Sequence, residues 1–219
     1  MLDPNVVLNR LKRLAMLDTT VFDEVRDDER ELIPAIVIVA VSTVLAALGM
    51  WFYLIVKAPA GISVDFGNVF LKEILLGSLF SIALWFAWVA VVYVILVQVF
   101  KEQTDVQMLI RTMGYAAFPL SISILLFISG IALGVGLIGM VIWFVMSTYA
   151  IQSTTSASSD HVVIANAAGF AVFAIVLTFL GDQTGMAPGI FALGSDAIAE
   201  GEYYKLDLPD ILKGLVPTK

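Results

Sequence analysis

The chain has 219 residues, of which 60% are hydrophobic and only 14% charged, whereas a soluble domain carries about a quarter charged residues. Its 19 acidic and 12 basic residues leave a net charge of −7, so it lacks the Lys- and Arg-rich surface that nucleic acid requires. With no cysteine, disulfide scaffolds, thiolate metal sites and thiol catalysis are excluded.

The charges are segregated. Ile33 to Val56, Ile74 to Phe100, Met113 to Asp160 and Val162 to Gly181 carry charge only at their edges. A bilayer core needs about 20 apolar residues of helix, and each Leu, Ile, Phe or Val at a span centre favours insertion by roughly 0.3–0.6 kcal/mol. The pattern predicts an all-α fold: a polytopic transmembrane helical bundle of about five spans, with short amphipathic helices before the first.

Pro4 to Leu17 places Val7, Leu8, Leu11, Leu14 and Ala15 on one helical face and Asn9, Arg10, Lys12 and Arg13 elsewhere. This basic amphipathic helix either lies against anionic headgroups through Arg10, Lys12 and Arg13 or packs on the protein's own spans. Asp18-Thr19-Thr20, with Asp23 three residues after Thr20, predicts a capped second helix over Val21 to Glu31. Its acids read as a solvated face, since they lack the glycine and spacing of a calcium loop.

The first span is expected from Ala35 to Val56, ended by Lys57-Ala58-Pro59-Ala60-Gly61. The second runs from Leu75 to Phe100, with Trp85 and Trp88 as internal packing groups. Lys101 to Arg111 reads as a polar link. Tyr115 to Gln152 is then free of charge for about 38 residues, roughly 57 Å of helix, too long for one crossing. The break is expected within Ser129 to Gly139, whose glycines also suit close helix packing. Ser153 to Asp160 is a polar turn, with Ser158, Ser159 or Asp160 placed to cap a last span over Val162 to Leu180. The chain thus divides into N-terminal helices over 1–32, a five-span region over 33–181 and a tail over 182–219, in which Leu208 to Val216 is weakly amphipathic.

Orientation follows from the flanking bases. Arg10, Lys12, Arg13, Arg26, Arg30, Lys101 and Arg111 fall on one side, and Lys57, Lys72, Lys205, Lys213 and Lys219 on the other. The amino terminus is expected in the cytoplasm and the carboxyl terminus outside.

Little points to catalysis. No P-loop, HExxH or GxSxG occurs, and Gly134 to Gly139 spells GxGxxG only inside an apolar span. No span, as delimited above, holds Asp, Glu, Lys or Arg at mid-depth, which argues against ion-coupled transport. His161 alone builds neither a metal site nor a triad. Gln98 and Asn166 are candidates for hydrogen bonds between helices.

Arg111-Thr112-Met113-Gly114-Tyr115-Ala116-Ala117-Phe118-Pro119 carries a glycine-tyrosine pair with proline four residues after the tyrosine. This pattern resembles the Yip1 family of five-span membrane proteins, and Leu17 to Val25 is similar to the amino-terminal approach of its prokaryotic members. The resemblance covers Leu17 to Gly181 and marks Gly114, Tyr115 and Pro119. The Asp-Leu-Tyr-Gly-Pro motif of eukaryotic members is missing, so the resemblance implies a fold and a cytoplasmic amino terminus rather than binding of small GTPases.

Together these readings describe a non-enzymatic integral membrane protein of a prokaryotic plasma membrane, without a cofactor. It acts as an adaptor, scaffold or organising factor, or as an accessory subunit, and contacts the bilayer and a protein partner or second copy. The alternative is a permease, or a channel for lipid or a small solute.

Overall fold

Long apolar runs in this chain become helices because a lipid-facing backbone must satisfy its own hydrogen bonds. The computed structural model describes residues 4–57, 62–128, 130–184, 186–193 and 204–206. Five of its helices are long and apolar enough to cross a membrane: Glu29–Lys57, Phe66–Val99, Val106–Phe127, Ala132–Gln152 and Ser159–Asp182. They are called here the first to fifth spans. Before them come two short helices, α1 (Pro4–Ala15) and α2 (Val21–Asp27).

The first span packs on the third, the third on the fourth, and the fifth on the second and fourth. Each span turns large side chains such as Val41, Leu79, Val141 and Phe179 outward, as a helix bundle in lipid must. Trp85, Trp88 and Trp143 are fully buried, so the tryptophans of the second span are packing groups, as expected.

Several boundaries differ from the sequence reading. The second span starts at Phe66 because Asp65 caps it, accepting from the Asn68 amide. The third starts at Val106, where Asp105 accepts from the amides of Gln107 and Met108. The polar link is therefore only Lys101 to Asp105, and Arg111 lies inside a helix. That third span is α-helical to Ala116 and then tightens into a 3-10 helix over Phe118–Phe127, with Pro119 in its first turn. Proline removes an amide and crowds the preceding turn, which accounts for the change of helix type at this point.

The third span ends at Phe127 and the fourth begins at Ala132, so Gly134, Gly136 and Gly139 lie within the fourth span. Thr20 does not close the expected capping box; its hydroxyl and amide bond to Asp18 instead. Beyond the last span, Met186 to Leu193 folds back against the bundle, and Tyr204–Leu206 pairs antiparallel with Ile62–Val64. The amphipathic stretch expected at Leu208 to Val216 lies outside the described residues.

Two glycines let helices approach to backbone contact. A Cβ on Gly49 would collide with the Ser123 carbonyl oxygen, and one on Gly114 would lie 2.7 Å from the Ala35 Cβ and 2.8 Å from its carbonyl oxygen. Both contacts join the first span to the third. Gly49→Ala and Gly114→Ala should each cost about 1–3 kcal/mol by overpacking, read as a lower midpoint of unfolding in mixed SDS micelles. Gly134→Ala is the control, since its Cβ would meet nothing within 4 Å. Equal midpoints for all three variants would contradict this packing.

Candidate functional site

The N-terminal helices do not float on the membrane face. Leu14, Val21, Phe22 and Val25 are fully buried and belong to the same apolar core as the spans. Burial of four such side chains favours docking by roughly 1.5–3 kcal/mol each before ordering costs.

A buried carboxylate fixes the docked position. Glu31, at the start of the first span, is 0% exposed. Its Oε1 pairs with the Arg10 guanidinium of α1, and its Oε2 accepts from the Tyr115 hydroxyl of the third span at 2.6 Å. A buried ion pair is favourable only when its remaining polar atoms are satisfied, and here the tyrosine does so with a charge-assisted bond. Burial works against the Arg10 charge, but the Glu31 carboxylate and the Tyr115 hydroxyl outweigh it and raise the Arg10 pKa.

Around this centre the charges of α1 and α2 pair with one another. Arg13 bonds to Asp18 at 2.8 Å, to Glu24 at 2.7 Å and to the Thr20 hydroxyl at 3.0 Å. The Thr20 hydroxyl and the Arg13 guanidinium hold the Asp18 carboxyl below its ordinary range. Arg26 clamps Asp27, lowering its carboxyl pKa, and also donates to the Ser153 carbonyl at 2.6 Å. Thr104 donates to the Thr154 hydroxyl at 3.0 Å. His161 stacks on Phe100 with ring centroids 3.9 Å apart, and its Nδ1 lies 3.1 Å from Glu102. The amino-terminal helices and the two turns after the second and fourth spans thus form one continuous face.

The expected site residues divide accordingly. Tyr115 is fully buried and bonded to Glu31, and the third span begins more than two turns before it. Gly114 sits against Ala35, and Pro119 marks the change of helix type. Arg10 and Arg13 are held in ion pairs within the chain, while Lys12 is exposed. Asn166 behaves as expected, donating to the Phe144 carbonyl and Thr148 hydroxyl and accepting from the Trp88 indole at 3.1 Å. It joins the second, fourth and fifth spans. Gln98 does not act as an interhelical contact; it is exposed at the end of the second span and bonds to no described residue.

Three buried ionisable groups escaped the sequence reading: Glu31, Glu73 and Arg111, at 0%, 0% and 4% exposure. All three lie within the spanning helices as the structure bounds them, each within about two turns of its helix's start, whereas the bounds read from sequence left them outside. Arg111 has no partner for its Nε and Nη1, although its field reaches Asp27 on α2. Among the described residues, no group of three His, Cys, Asp or Glu is placed to hold a metal.

Helices of this length and apolarity define a polytopic integral membrane protein. The family model of the Yip1 domain matches residues 18–181, and the chain belongs to the Yip1 family. No curated protein and no solved structure matches it.

The match begins at Asp18 and takes in Glu31 and Tyr115, two of the three groups of the buried cluster. Glu31→Ala should cost about 3–5 kcal/mol by leaving Arg10 in a half-buried site without its main partner, and Tyr115→Phe about 1–3 kcal/mol by leaving Oε2 without a donor. The double variant should cost less than the sum, by at least about 0.5 kcal/mol. Additive costs in SDS unfolding would show that the tyrosine does not serve the carboxylate.

Proposed function

We propose that this Yip1-family protein is a non-enzymatic adaptor or organising factor of a prokaryotic plasma membrane. Its N-terminal face lies in the cytoplasm and receives a protein partner or a second copy, as a scaffold or an accessory subunit would. One observation carries this reading: α1, α2 and the turns at Lys101 to Asp105 and Ser153 to Ser158 are joined into one surface by the Arg10–Glu31–Tyr115 cluster and the Arg26–Ser153 and Thr104–Thr154 bonds. A pre-ordered surface binds without the entropy cost of arranging loops. Asp23, Asp27 and Glu29 stand exposed on it, with Asp23 and Asp27 sharing the one Arg26, and this excess of acid suits a basic partner surface.

On this reading, 1–32 is the contact region, 33–181 the five-span domain and 182–219 the tail on the outer side. The rival reading, a permease or channel, gains support from the buried acid Glu73 in the second span, since intramembrane acids often line ion or proton paths.

Native mass spectrometry of protein released gently from its own membrane distinguishes the two. The adaptor reading predicts a stoichiometric partner or a homo-oligomer whose yield falls at least about tenfold when Asp23 and Asp27 are both changed to Lys, the loss expected from roughly 1.4 kcal/mol of interface energy. A lone chain, unchanged by those substitutions and giving solute flux after reconstitution, would favour the permease.

A further inference from the structure

On the side opposite the N-terminal helices, the segment Met186 to Leu193 enters the bundle, and the spans leave room for it. A Cβ on Gly77 would lie 3.3 Å from the Ala187 amide, one on Gly136 2.8 Å from Ile190, and one on Gly181 2.5 Å from the Phe191 carbonyl oxygen. The segment turns at Gly189, whose φ of 66° suits glycine, against Ala46 of the first span. The second, fourth and fifth spans thus each give up a side chain at the place where the segment passes.

Glu73 lies beneath this segment. It is 0% exposed, and neither carboxyl oxygen completes a hydrogen bond of good geometry, although the Gly189 amide of the segment faces the carboxyl group. It sits in a π-helical stretch, Phe70–Gly77, a wide helix form frequent at functional sites, though the same span also ends in one at Ile95–Val99. Among the described residues, the other ionisable groups on this half are Asp65 and Lys72 beside it, Tyr53 and Lys57 on the first span, Asp182 on the fifth, and Tyr204 and Lys205 on the strand paired with Ile62–Val64; Met186 to Leu193 carries none. None of them bonds to the Glu73 oxygens, and Asp65, Lys72 and Asp182 each engage other groups.

An ionised carboxylate without a partner costs several kcal/mol in such a place, whereas the neutral acid costs only its unmade hydrogen bonds. Water reaching the oxygens would relieve the ionised form, and the Gly189 end of the segment is among the groups that cover them.

We propose that Glu73 is a proton-binding site that keeps the Met186 to Leu193 segment seated, and that loss of its proton to the water on that side expels the segment and opens a vestibule in the bundle. The device is independent of the N-terminal contact face.

The cysteine-free sequence makes the test direct. Ile190→Cys supplies a single thiol, and its labelling by a membrane-impermeant maleimide in proteoliposomes is followed from acid to alkaline pH with and without Glu73→Gln. Ionisation of the thiol affects both backgrounds alike. The ratio of the labelling rates, Glu73 background over Glu73→Gln, should rise at least about tenfold across the titration, up to tenfold per pH unit for one proton. A constant ratio would overturn the proposal. A second readout needs no variant at position 73: infrared spectra of the wild-type chain should show the carbonyl band of a buried carboxylic acid at neutral pH, disappearing as labelling rises. A neutral-pH spectrum without that band would also overturn it.

Discussion

The arrangement of this protein depends on a carboxylate that has no route to water. Glu31 lies where the chain passes from soluble helix to first span, and its two oxygens are taken by Arg10 from one direction and Tyr115 from another. Leaving either oxygen unpaired in that environment costs more than the net gain of an ordinary hydrogen bond, so the three elements that meet there are held in one geometry. α1 could otherwise have rested in the headgroup region, since Val6 and Leu8 remain exposed on it. An apolar groove of about 680 Å³ between α1 and the first span, lined by Val7, Leu8, Ile33, Pro34 and Val37 with Arg30, leaves part of α1 open to lipid.

Deeper in the bundle, the hydrophobic effect no longer distinguishes a helix neighbour from a lipid tail, and close approach with a few polar bonds does the selecting. Gly49 and Gly114 bring the first and third spans to backbone contact. Asn166 ties three spans with all of its hydrogen-bonding groups near the Trp88, Trp143 and Phe173 rings. The ring pairs lie 5.2–5.7 Å apart, within the range of favourable tilted aromatic contacts.

Much of this was legible in the sequence because hydrocarbon thickness is a length, and the apolar runs from Ile33, Ile74, Met113 and Val162 report it without ambiguity. The Gly-Tyr-x-x-x-Pro pattern likewise led to the family that covers 18–181. What the sequence concealed were charges that look like exits from the membrane but are buried by packing. Lys72-Glu73 and Arg111 precede their apolar runs, so a reading by composition ends the span at them; Asp65 and Asp105 start the helices about two turns earlier. Glu31 was indistinguishable from Asp23 and Asp27, because only the arrival of Tyr115 from 84 residues away separates it from a solvated acid. Met186 to Leu193, with its proline and glycine, has the composition of a surface tail, and its burial depends on gaps at Gly77, Gly136 and Gly181 that no local pattern announces.

The central claim is that the N-terminal helices are part of the bundle, fixed to it through Glu31. Spin labels at Lys12→Cys and Ser156→Cys, both exposed positions on the same face, report the distance from α1 to the turn after the fourth span in lipid nanodiscs. The account predicts one narrow distance distribution, broadened when Glu31→Ala is added. A distribution that is broad from the start, and unchanged by Glu31→Ala, would contradict it.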